Sequence, residues 1–356
     1  PAAPAVPSRG RPPEGLIARW RSVLKELRLG DRRLDDVQVE ACLDGLSCTV
    51  QLLLGPPGTG KTNTAAAAIM LRLASRPERK LFFLSASTHT AVNELTSRIR
   101  EIVPSFRKAA DEAGMAYNVP AVLRLSSDER AEGESVCTEN SYRMREMMDR
   151  GDLVLCGTVN ESLKAAKALG VGTMLFADGL VIDEASMMVF PDFLALSTLV
   201  GQGGEMMLAG DHKQLAPITS HDWDRETREQ VVRMTPHESA YRAINDLAAR
   251  TVPGAIGRSA LSITYRLTPE LTHLISGVYR DEGVGLVSRK EQEAKDLRFD
   301  SLEDLWRNRG VFLVVHDEAC SRKSNEFEGQ LVRDILASWR VEEDKVRPGT
   351  VSVITP

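Results

Sequence analysis

The sequence predicts an α/β fold in which helices cover both faces of a parallel sheet. Short apolar runs of the kind that form strands buried on both faces recur along the chain, at residues 49–54, 80–86, 152–158, 179–184 and 205–210. Helical stretches separate most of these runs, as in βαβ units. In addition, the stretch GPPGTGKT follows the first run directly and opens a helix. A parallel sheet of this kind binds ligands at the carboxyl ends of its strands.

A chain of 356 residues exceeds what one hydrophobic core usually holds, and we therefore expect more than one domain. Residues 1–30 are predicted to be a proline-rich linker and a leading helix. Residues 31–257 are predicted to form the first domain, with a helical insertion at about 96–151, because that segment is too long for a simple connection. Residues 258–356 begin a second series, which includes predicted strands at 310–316 and 350–355 and a predicted helix at 328–339, and we expect them to form an incomplete second α/β domain.

The composition limits the possible partners and location. The net charge is −5, so no overall positive field attracts nucleic acid, and any such partner must be bound locally. No apolar run approaches the roughly 20 residues that a membrane-spanning helix needs, and we expect an intracellular protein without membrane contact. The five cysteines are widely spaced and include no C-x-x-C pair, which indicates neither a disulfide framework nor a metal cluster.

The stretch after the first predicted strand matches the P-loop pattern G-x-x-x-x-G-K-[ST], and its residues are Gly55, Pro56, Pro57, Gly58, Thr59, Gly60, Lys61 and Thr62. Glycines in such a loop allow backbone N–H groups to converge on phosphate oxygens. We predict that Lys61 neutralises the β and γ phosphates of ATP and that the Thr62 hydroxyl binds Mg²⁺. The alternative, an ordinary glycine-rich turn, does not explain why the pattern stands between a strand and a helix.

The stretch VIDEAS, residues 181–186, places two carboxylates at the end of a buried strand, where charge is costly without a compensating cation. We predict that Asp183 helps to hold Mg²⁺ and that Glu184 orients and deprotonates the attacking water. The alternative is an Asp-Glu pair that only caps the next helix. The presence of the P-loop favours the catalytic interpretation.

The stretch GDHKQLAPI, residues 210–218, should emerge at the same edge of the sheet as the P-loop. Gln214 is therefore predicted to reach the γ-phosphate or the attacking water, and His212 is expected to contribute least. The alternative is a metal site, whose candidate ligands would be Asp211, His212, His221, Asp222 and Asp224. Their spacing fits no standard ligand pattern.

The stretch SITYRLTPEL, residues 262–271, carries Arg266 at the start of the second domain. An arginine there could enter the nucleotide site from across a cleft and stabilise charge in the transition state. The alternative is a surface arginine paired with an acid, and the sequence does not decide between the two.

In this order, the motifs resemble those of the superfamily 1B helicases, in particular the group typified by the RNA-decay helicase and the Okazaki-fragment helicase-nuclease. GPPGTGKT and VIDEAS match the first and second motifs of that family, and GDHKQLAPI resembles the third. SITYRLTPEL resembles the fourth, with Arg266 at the arginine-finger position. LDDVQVEAC resembles the adenine-recognising glutamine motif, which implies that Gln38 contacts adenine.

STHTAVNEL, residues 87–95, resembles the family motif that grips the nucleic-acid backbone. This implies roles for Thr88, Thr90 and Asn93, although His89 and Asn93 stand where the family more often has Asn and Asp. The basic residues that follow either extend this contact or form an ordinary solvated helix face, because acids are interleaved with them. They are Arg98, Arg100, Arg107 and Lys108.

The resemblance implies two RecA-like domains and a monomeric helicase core that uses ATP and Mg²⁺ to move 5′ to 3′ on single-stranded DNA or RNA. The family's fifth and sixth motifs are not found in these 356 residues. We therefore expect the chain to be part of a longer helicase and to hydrolyse ATP poorly by itself. Two alternatives remain: an ATP-switched clamp that binds a strand without unwinding, and an AAA-type protein remodeller.

Overall fold

The computed structural model describes residues 12–30, 32–75, 78–131, 133–217, 229, 237–250, 256–290 and 326–339. Its helices are α1 (Glu14–Glu26), α2 (Asp36–Asp44), α3 (Lys61–Ala74), α4 (His89–Glu112), α5 (Ser141–Arg150), α6 (Val159–Leu169), α7 (Phe190–Ser197), α8 (Ala240–Arg250), α9 (Pro269–Ser276) and α10 (Glu326–Trp339). Short 3₁₀ turns cover Gly45–Ser47 and Gly277–Glu282. None of the helices in these ranges has the length and apolar character that a membrane span requires.

The central element is an eight-stranded sheet in the order β10-β3-β9-β8-β4-β7-β5-β6. Every neighbouring pair in it is parallel. The strands are β3 (Val50–Leu54), β4 (Leu81–Ala86), β5 (Ala121–Ser126), β6 (Ser135–Cys137), β7 (Leu153–Thr158), β8 (Ala177–Ile182), β9 (Val200–Gly210) and β10 (Ile256–Ala260). The pairs β1 (Arg28–Leu29) with β2 (Arg32–Arg33), and β11 (Ile263–Thr264) with β12 (Val287–Ser288), lie outside it.

Two hydrophobic cores sandwich the sheet. One face packs against α1 to α4, and the other packs against α5 to α8. The five apolar runs of the sequence lie in β3, β4, β7, β8 and the second half of β9, and most residues of each run are buried, as in strands covered on both faces. The predicted parallel α/β fold, with the P-loop after its first long strand, is therefore confirmed.

The description of residues 96–151 as a helical insertion is wrong. The segment begins in α4 and ends in α5, but between them β5 and β6 extend the central sheet beyond β7. These strands lie at the end of the sheet, and β5 alternates buried with half-buried residues instead of forming a continuous apolar run. The apolar pattern that marks central strands is therefore missing from them.

The first sheet also extends beyond the predicted domain boundary at residue 258. β10 pairs in parallel with β3, so Arg258, Ser259 and Ala260 belong to the first sheet. The sequence IGRSA has few apolar residues because β10 is an edge strand. The strands predicted at 310–316 and 350–355 lie outside the described residues, whereas the predicted helix at 328–339 falls within α10.

Candidate active site

The carboxyl ends of neighbouring strands bring the predicted site residues to one edge of the sheet. The P-loop follows β3, Asp183 and Glu184 follow β8, and Asp211 follows β9, which lies between those two strands. The backbone N–H of Gly55 donates to the carbonyl of Gly210 at 3.0 Å. The first residue of the P-loop is therefore joined directly to the end of β9.

The P-loop depends on glycines at Gly58 and Gly60, whose φ angles of +73° and +77° are in the left-handed region. Neighbouring side chains also leave no room for a Cβ atom. A Cβ at Gly60 would lie 2.5 Å from the Gln38 amide nitrogen, and one at Gly58 would overlap with the Cβ of Arg266. The loop is closed by Thr59, whose hydroxyl donates to the Pro56 carbonyl at 2.8 Å.

The polar side chains of the P-loop face the two carboxylates of β8. Lys61 Nζ lies 3.0 Å from Glu184 Oε1, and the Thr62 hydroxyl donates to Asp183 Oδ2 at 3.2 Å. A hydroxyl and a carboxylate oxygen are ligands of the type that Mg²⁺ prefers. The arrangement of Thr62 and Asp183 therefore fits a Mg²⁺ site.

Asp183 is only 2% exposed. Burial raises the pKa of its carboxyl to about 6, and the negative charge of Glu184 adds to the rise, while Lys61 opposes it. Asp183 Oδ1 accepts the backbone N–H of Glu184 at 2.9 Å. This carboxylate is thus costly to ionise in the protein alone, and a bound cation would lower that cost.

Glu184 has a φ angle of +51°, and no other non-glycine residue in the described ranges has a positive φ. The conformation is held by backbone bonds on its C-terminal side, from Ala185 N–H to the Ala209 carbonyl and from Met187 N–H to the Glu184 carbonyl. Backbone strain of this kind costs on the order of 1–3 kcal/mol and concentrates at functional sites. The left-handed conformation places the carboxylate of Glu184, the predicted proton acceptor, beside Lys61.

Asp211, in the third motif, is completely buried and receives several hydrogen bonds. Its Oδ1 accepts the backbone N–H of Lys213 at 3.0 Å. Its Oδ2 accepts the amide N–H of Gln214 at 2.7 Å and the hydroxyl of Tyr279 at 2.6 Å. One N–H of the Gln214 amide is held by Asp211. The Oε1 atom of Gln214 and its second N–H remain able to contact a water or a phosphate oxygen.

His212 and Asp211, two of the five candidate ligands of the alternative metal site, bind protein side chains. His212 Nε2 lies 2.8 Å from Glu282 Oε1, and its ring stacks on Tyr241 with centroids 5.8 Å apart. Within the described ranges, no group of three or more His, Cys, Asp or Glu residues is arranged to hold a metal ion. The other proposed ligands, at positions 221, 222 and 224, lie outside those ranges.

The segment that carries Arg266 lies against the P-loop. The Thr264 hydroxyl donates to the Pro57 carbonyl at 2.9 Å, and the Tyr265 N–H donates to the Gly58 carbonyl at 2.9 Å. The side chain of Arg266 is exposed and forms no ion pair with any described acid, so the paired-arginine alternative finds no support among those residues. Arg266 thus stands beside the phosphate-binding loop.

Gln38 is buried next to the P-loop, but both ends of its amide already bind the protein. Its Oε1 accepts the Asp35 N–H at 3.0 Å in a capping box at the start of α2, and its Nε2 donates to the Thr59 carbonyl at 2.9 Å. The Tyr265 hydroxyl donates to Asp35 at 2.8 Å. Gln38 therefore connects α2 to the P-loop in addition to any contact with a base.

The three residues implied to grip nucleic acid are exposed at the start of α4, on the same sheet edge. Thr88 caps this helix by accepting the Ala91 N–H at 3.2 Å, and Thr90 and Asn93 follow on its first turns. Their position after β4, one strand from β8, places them beside the two carboxylates.

Arg124 of β5 organises this helix start, although nothing in its local sequence marks it as a site residue. Its Nε donates to Asn93 Oδ1 at 2.8 Å, and its Nη2 lies 3.0 Å from His89 Nδ1. Its Nη1 pairs with Glu161 at 2.9 Å. Burial raises the pKa of Glu161, but the hydrogen bonds from Thr158 and Arg124 outweigh it and leave that pKa lowered.

The basic residues further along α4 are largely neutralised. Arg98 pairs with Glu101, Arg107 with Asp111, and Lys108 with Glu112 on the same helix. Arg100 pairs with Glu134 and donates to backbone carbonyls. This pairing favours the interpretation of an ordinary solvated face over an extended nucleic-acid contact.

Comparison with known proteins gives a consistent picture. A family model described as "AAA domain" matches residues 38–220, just over half of the 356-residue chain. The regulator of nonsense transcripts 1 homolog of Neurospora crassa is 23% identical over 353 residues, covering 91% of this chain and 30% of the relative. The Arabidopsis thaliana homolog is 25% identical over 361 residues, covering 91% of this chain and 26% of the relative.

A third relative is the DNA replication ATP-dependent helicase/nuclease dna2 of Schizosaccharomyces pombe, which is 24% identical over 229 residues. That alignment covers 63% of this chain and 14% of the relative. The chain therefore spans less than a third of the length of each of these three relatives. The range matched by the family model contains the P-loop, the two carboxylates after β8, and Gln214.

Proposed function

We propose, because the chain belongs to the AAA domain family and to the superfamily 1 P-loop helicases of the RNA-decay and Okazaki-fragment group, that it couples ATP hydrolysis to movement along nucleic acid. One observation carries the proposal. The P-loop, the carboxylates after β8, Gln214, and the exposed start of α4 share one edge of a parallel sheet, and Arg266 adjoins the P-loop. ATP turnover and the binding of a nucleic-acid strand would thus occur at the carboxyl ends of neighbouring β-strands.

Lys61 and the backbone N–H groups of Gly58 and of residues 60–62 would bind the β and γ phosphates of ATP. Thr62 and Asp183 would hold Mg²⁺, which when bound supplies charge that stabilises the phosphate oxygens. Lys61 would exchange its ion pair with Glu184 for the phosphates, because both are anionic partners within reach of the same ammonium group. Release of Glu184 would then leave its carboxylate free to act on water.

Glu184 would orient the attacking water and accept its proton. Gln214, with its nitrogen held by Asp211, would use Oε1 to accept a hydrogen bond from that water or its second N–H to contact the γ-phosphate. Arg266 would stabilise negative charge on the γ-phosphate in the transition state, an effect of about a thousandfold or more in rate. These roles follow from chemistry and position at the sheet edge.

Thr88, Thr90 and Asn93 would contact the backbone of a single strand, since their side chains are exposed at a helix start and backbone phosphates are bound by such groups. The relatives point to both types of nucleic acid, because one is named for nonsense transcripts and another for DNA replication. We propose 5′ to 3′ movement from the resemblance to this helicase group.

The first experiment measures ATP turnover by the full-length protein with and without single-stranded DNA or RNA, and strand displacement on duplexes with a 5′ or a 3′ overhang. We expect a single strand to stimulate turnover and only 5′-tailed duplexes to be unwound. ATP-dependent strand binding without displacement would instead identify a clamp. A hexamer whose turnover ignores nucleic acid would identify a protein remodeller.

The same assay tests the catalytic assignment through Glu184→Gln. We expect this variant to bind ATP and a single strand normally while its turnover falls by about a hundredfold or more, because only the proton acceptor is lost. Glu78→Gln is the matched control, since Glu78 is exposed just before β4, at the amino edge of the sheet and opposite the site. Equal turnover in the two variants would refute the role of Glu184.

A further inference from the structure

Tyr279 is a buried residue of the 3₁₀ turn Gly277–Glu282 that makes a short hydrogen bond to the third motif. It is only 2% exposed, and its hydroxyl donates to Asp211 Oδ2 at 2.6 Å. Burial, together with the adjacent Asp211 carboxylate, raises the pKa of this phenol above its usual range. Tyr279 therefore stays protonated and remains a hydrogen-bond donor at neutral pH.

The oxygen that accepts from Tyr279 also accepts from Gln214. Asp211 Oδ2 receives the Gln214 amide N–H at 2.7 Å as well as the phenol, and Asp211 is completely buried. Within the described residues Asp211 has no cationic partner, so these hydrogen bonds are what compensates its burial. Loss of one donor would change the position and charge distribution of the carboxylate that holds Gln214.

The same turn makes a second contact with the next residue of the motif. Glu282 Oε1 lies 2.8 Å from His212 Nε2, so the turn contacts two consecutive residues of the loop. The turn directly follows α9, whose N-cap is Thr268, two residues after Arg266. One short segment therefore carries both the exposed arginine beside the P-loop and the residue that supports Gln214.

We propose that Tyr279 is a positioning residue for ATP hydrolysis, which acts through Asp211 to hold Gln214 and links it to the segment that carries Arg266. The proposal rests on the proposed function, in which Gln214 contacts the attacking water or the γ-phosphate. It assigns Tyr279 no contact with ATP. Its effect on turnover must therefore depend on the presence of Gln214.

The test is a double-mutant cycle of Tyr279→Phe and Gln214→Ala in the full-length protein, with kcat and KM for ATP as readouts. Tyr279→Phe alone is expected to lower kcat by about tenfold, because small displacements of a positioning group cost rate. KM for ATP should stay within about twofold. In the Gln214→Ala background, Tyr279→Phe should lower kcat no further.

Tyr117→Phe is the matched control. Its hydroxyl is buried but has no hydrogen-bond partner among the described residues, and its ring packs on Phe106 in the other core. This variant should leave kcat unchanged. Should Tyr279→Phe fail to fold, as shown by its thermal unfolding, Asp211→Asn tests the same connection through weaker, neutral hydrogen bonds and should likewise have no effect beyond that of Gln214→Ala.

The outcomes separate the two proposals. If Gln214→Ala turns over ATP normally, the role given to Gln214 in the proposed function is wrong. If Gln214→Ala is impaired but Tyr279→Phe alone is not, only the role of Tyr279 is overturned. The same conclusion holds if the two substitutions lower kcat by independent factors, since a purely structural tyrosine would act in both backgrounds.

Discussion

At the scale of single residues, the two carboxylates after β8 differ in how the protein treats their charge. Asp183 is buried and has a raised pKa, whereas the half-buried Glu184 pairs with Lys61. An acid whose pKa is higher in the folded than in the unfolded protein destabilises the fold at neutral pH, because ionisation is harder after folding. The ionised carboxylate of Asp183 therefore costs stability, and we propose that it serves to bind a cation.

The variant Asp183→Asn is accordingly expected to be more stable than the original chain and inactive. The uncharged amide keeps an oxygen that accepts the Glu184 N–H, and removal of the buried charge should raise the free energy of unfolding by on the order of 1–3 kcal/mol at pH 7.5. Mg²⁺-dependent ATP turnover should be lost. Chemical denaturation in metal-free buffer measures the first effect.

The gain should shrink as the pH falls from 7.5 to 5, since the pKa of Asp183 is about 6 in the folded protein, whereas an aspartate free of such surroundings has a pKa of 3.8. Below the lower value both the folded and the unfolded state are protonated, and the penalty is absent. A variant less stable than the original chain at pH 7.5 would contradict this explanation. A gain that does not depend on pH would contradict it as well.

The sequence indicated which motif residues share the site, but it did not reveal what supports them. Thr62 and Asp183 are each predicted from their own motifs to bind Mg²⁺, and the structure shows the two side chains hydrogen-bonded to each other. Tyr279 lies 68 residues after Asp211, and a tyrosine in an apolar helical pattern is typical of core packing. Nothing local marks such a partner.

At the scale of elements, the start of α4 is fixed by a strand that the apolar pattern of the sequence does not reveal. Arg124 on β5 contacts His89 and Asn93 on the first turns of α4, and it pairs with Glu161 of α6. β5 thus orients the exposed start of α4, which we propose binds single-stranded nucleic acid. The planar guanidinium can serve three partners at once, which a lysine cannot do with the same geometry.

The variant Arg124→Lys is expected to raise the concentration of single strand needed for half-maximal stimulation of ATP turnover by about fivefold. The lysine keeps a positive charge near Glu161 but loses the simultaneous bonds to His89 and Asn93. Arg98→Lys is the matched control, because among the described residues Arg98 pairs with Glu101 of α4 alone. Equal effects of the two substitutions would show that Arg124 has no special role.

The strands that could be predicted are those in the middle of the sheet. The apolar runs in β3, β4, β7, β8 and the second half of β9 are buried between the two cores, and this is why the sequence reveals them. β5, β6 and β10 lie at its ends, where partial exposure permits polar residues and removes the signal. For this reason, the segment 96–151 resembled an insertion, and the predicted first domain ended too early.

At the scale of the whole molecule, the chain that leaves the central sheet after β10 packs against the P-loop. After β10, the segment of Thr264 and Tyr265 donates hydrogen bonds to the carbonyls of Pro57 and Gly58. A side chain at Gly58 would collide with Arg266, so the P-loop and this segment have complementary shapes. A change in the P-loop backbone would therefore alter its contacts with the segment leading to α9.

This contact makes Arg266 the best position at which to test communication between the nucleotide site and the rest of the chain. Arg266→Ala is expected to lower kcat by about a thousandfold, because the transition state loses a positive charge. ATP affinity, measured with a non-hydrolysable analogue, should change little, since Lys61 and the backbone of the P-loop remain.

Arg280→Ala is the control, as Arg280 is an exposed arginine of the turn that follows α9. If Arg266→Ala retained more than about a tenth of the original turnover, the role assigned to this arginine would be excluded. Its position beside Gly58 would then serve only to pack the segment on the P-loop.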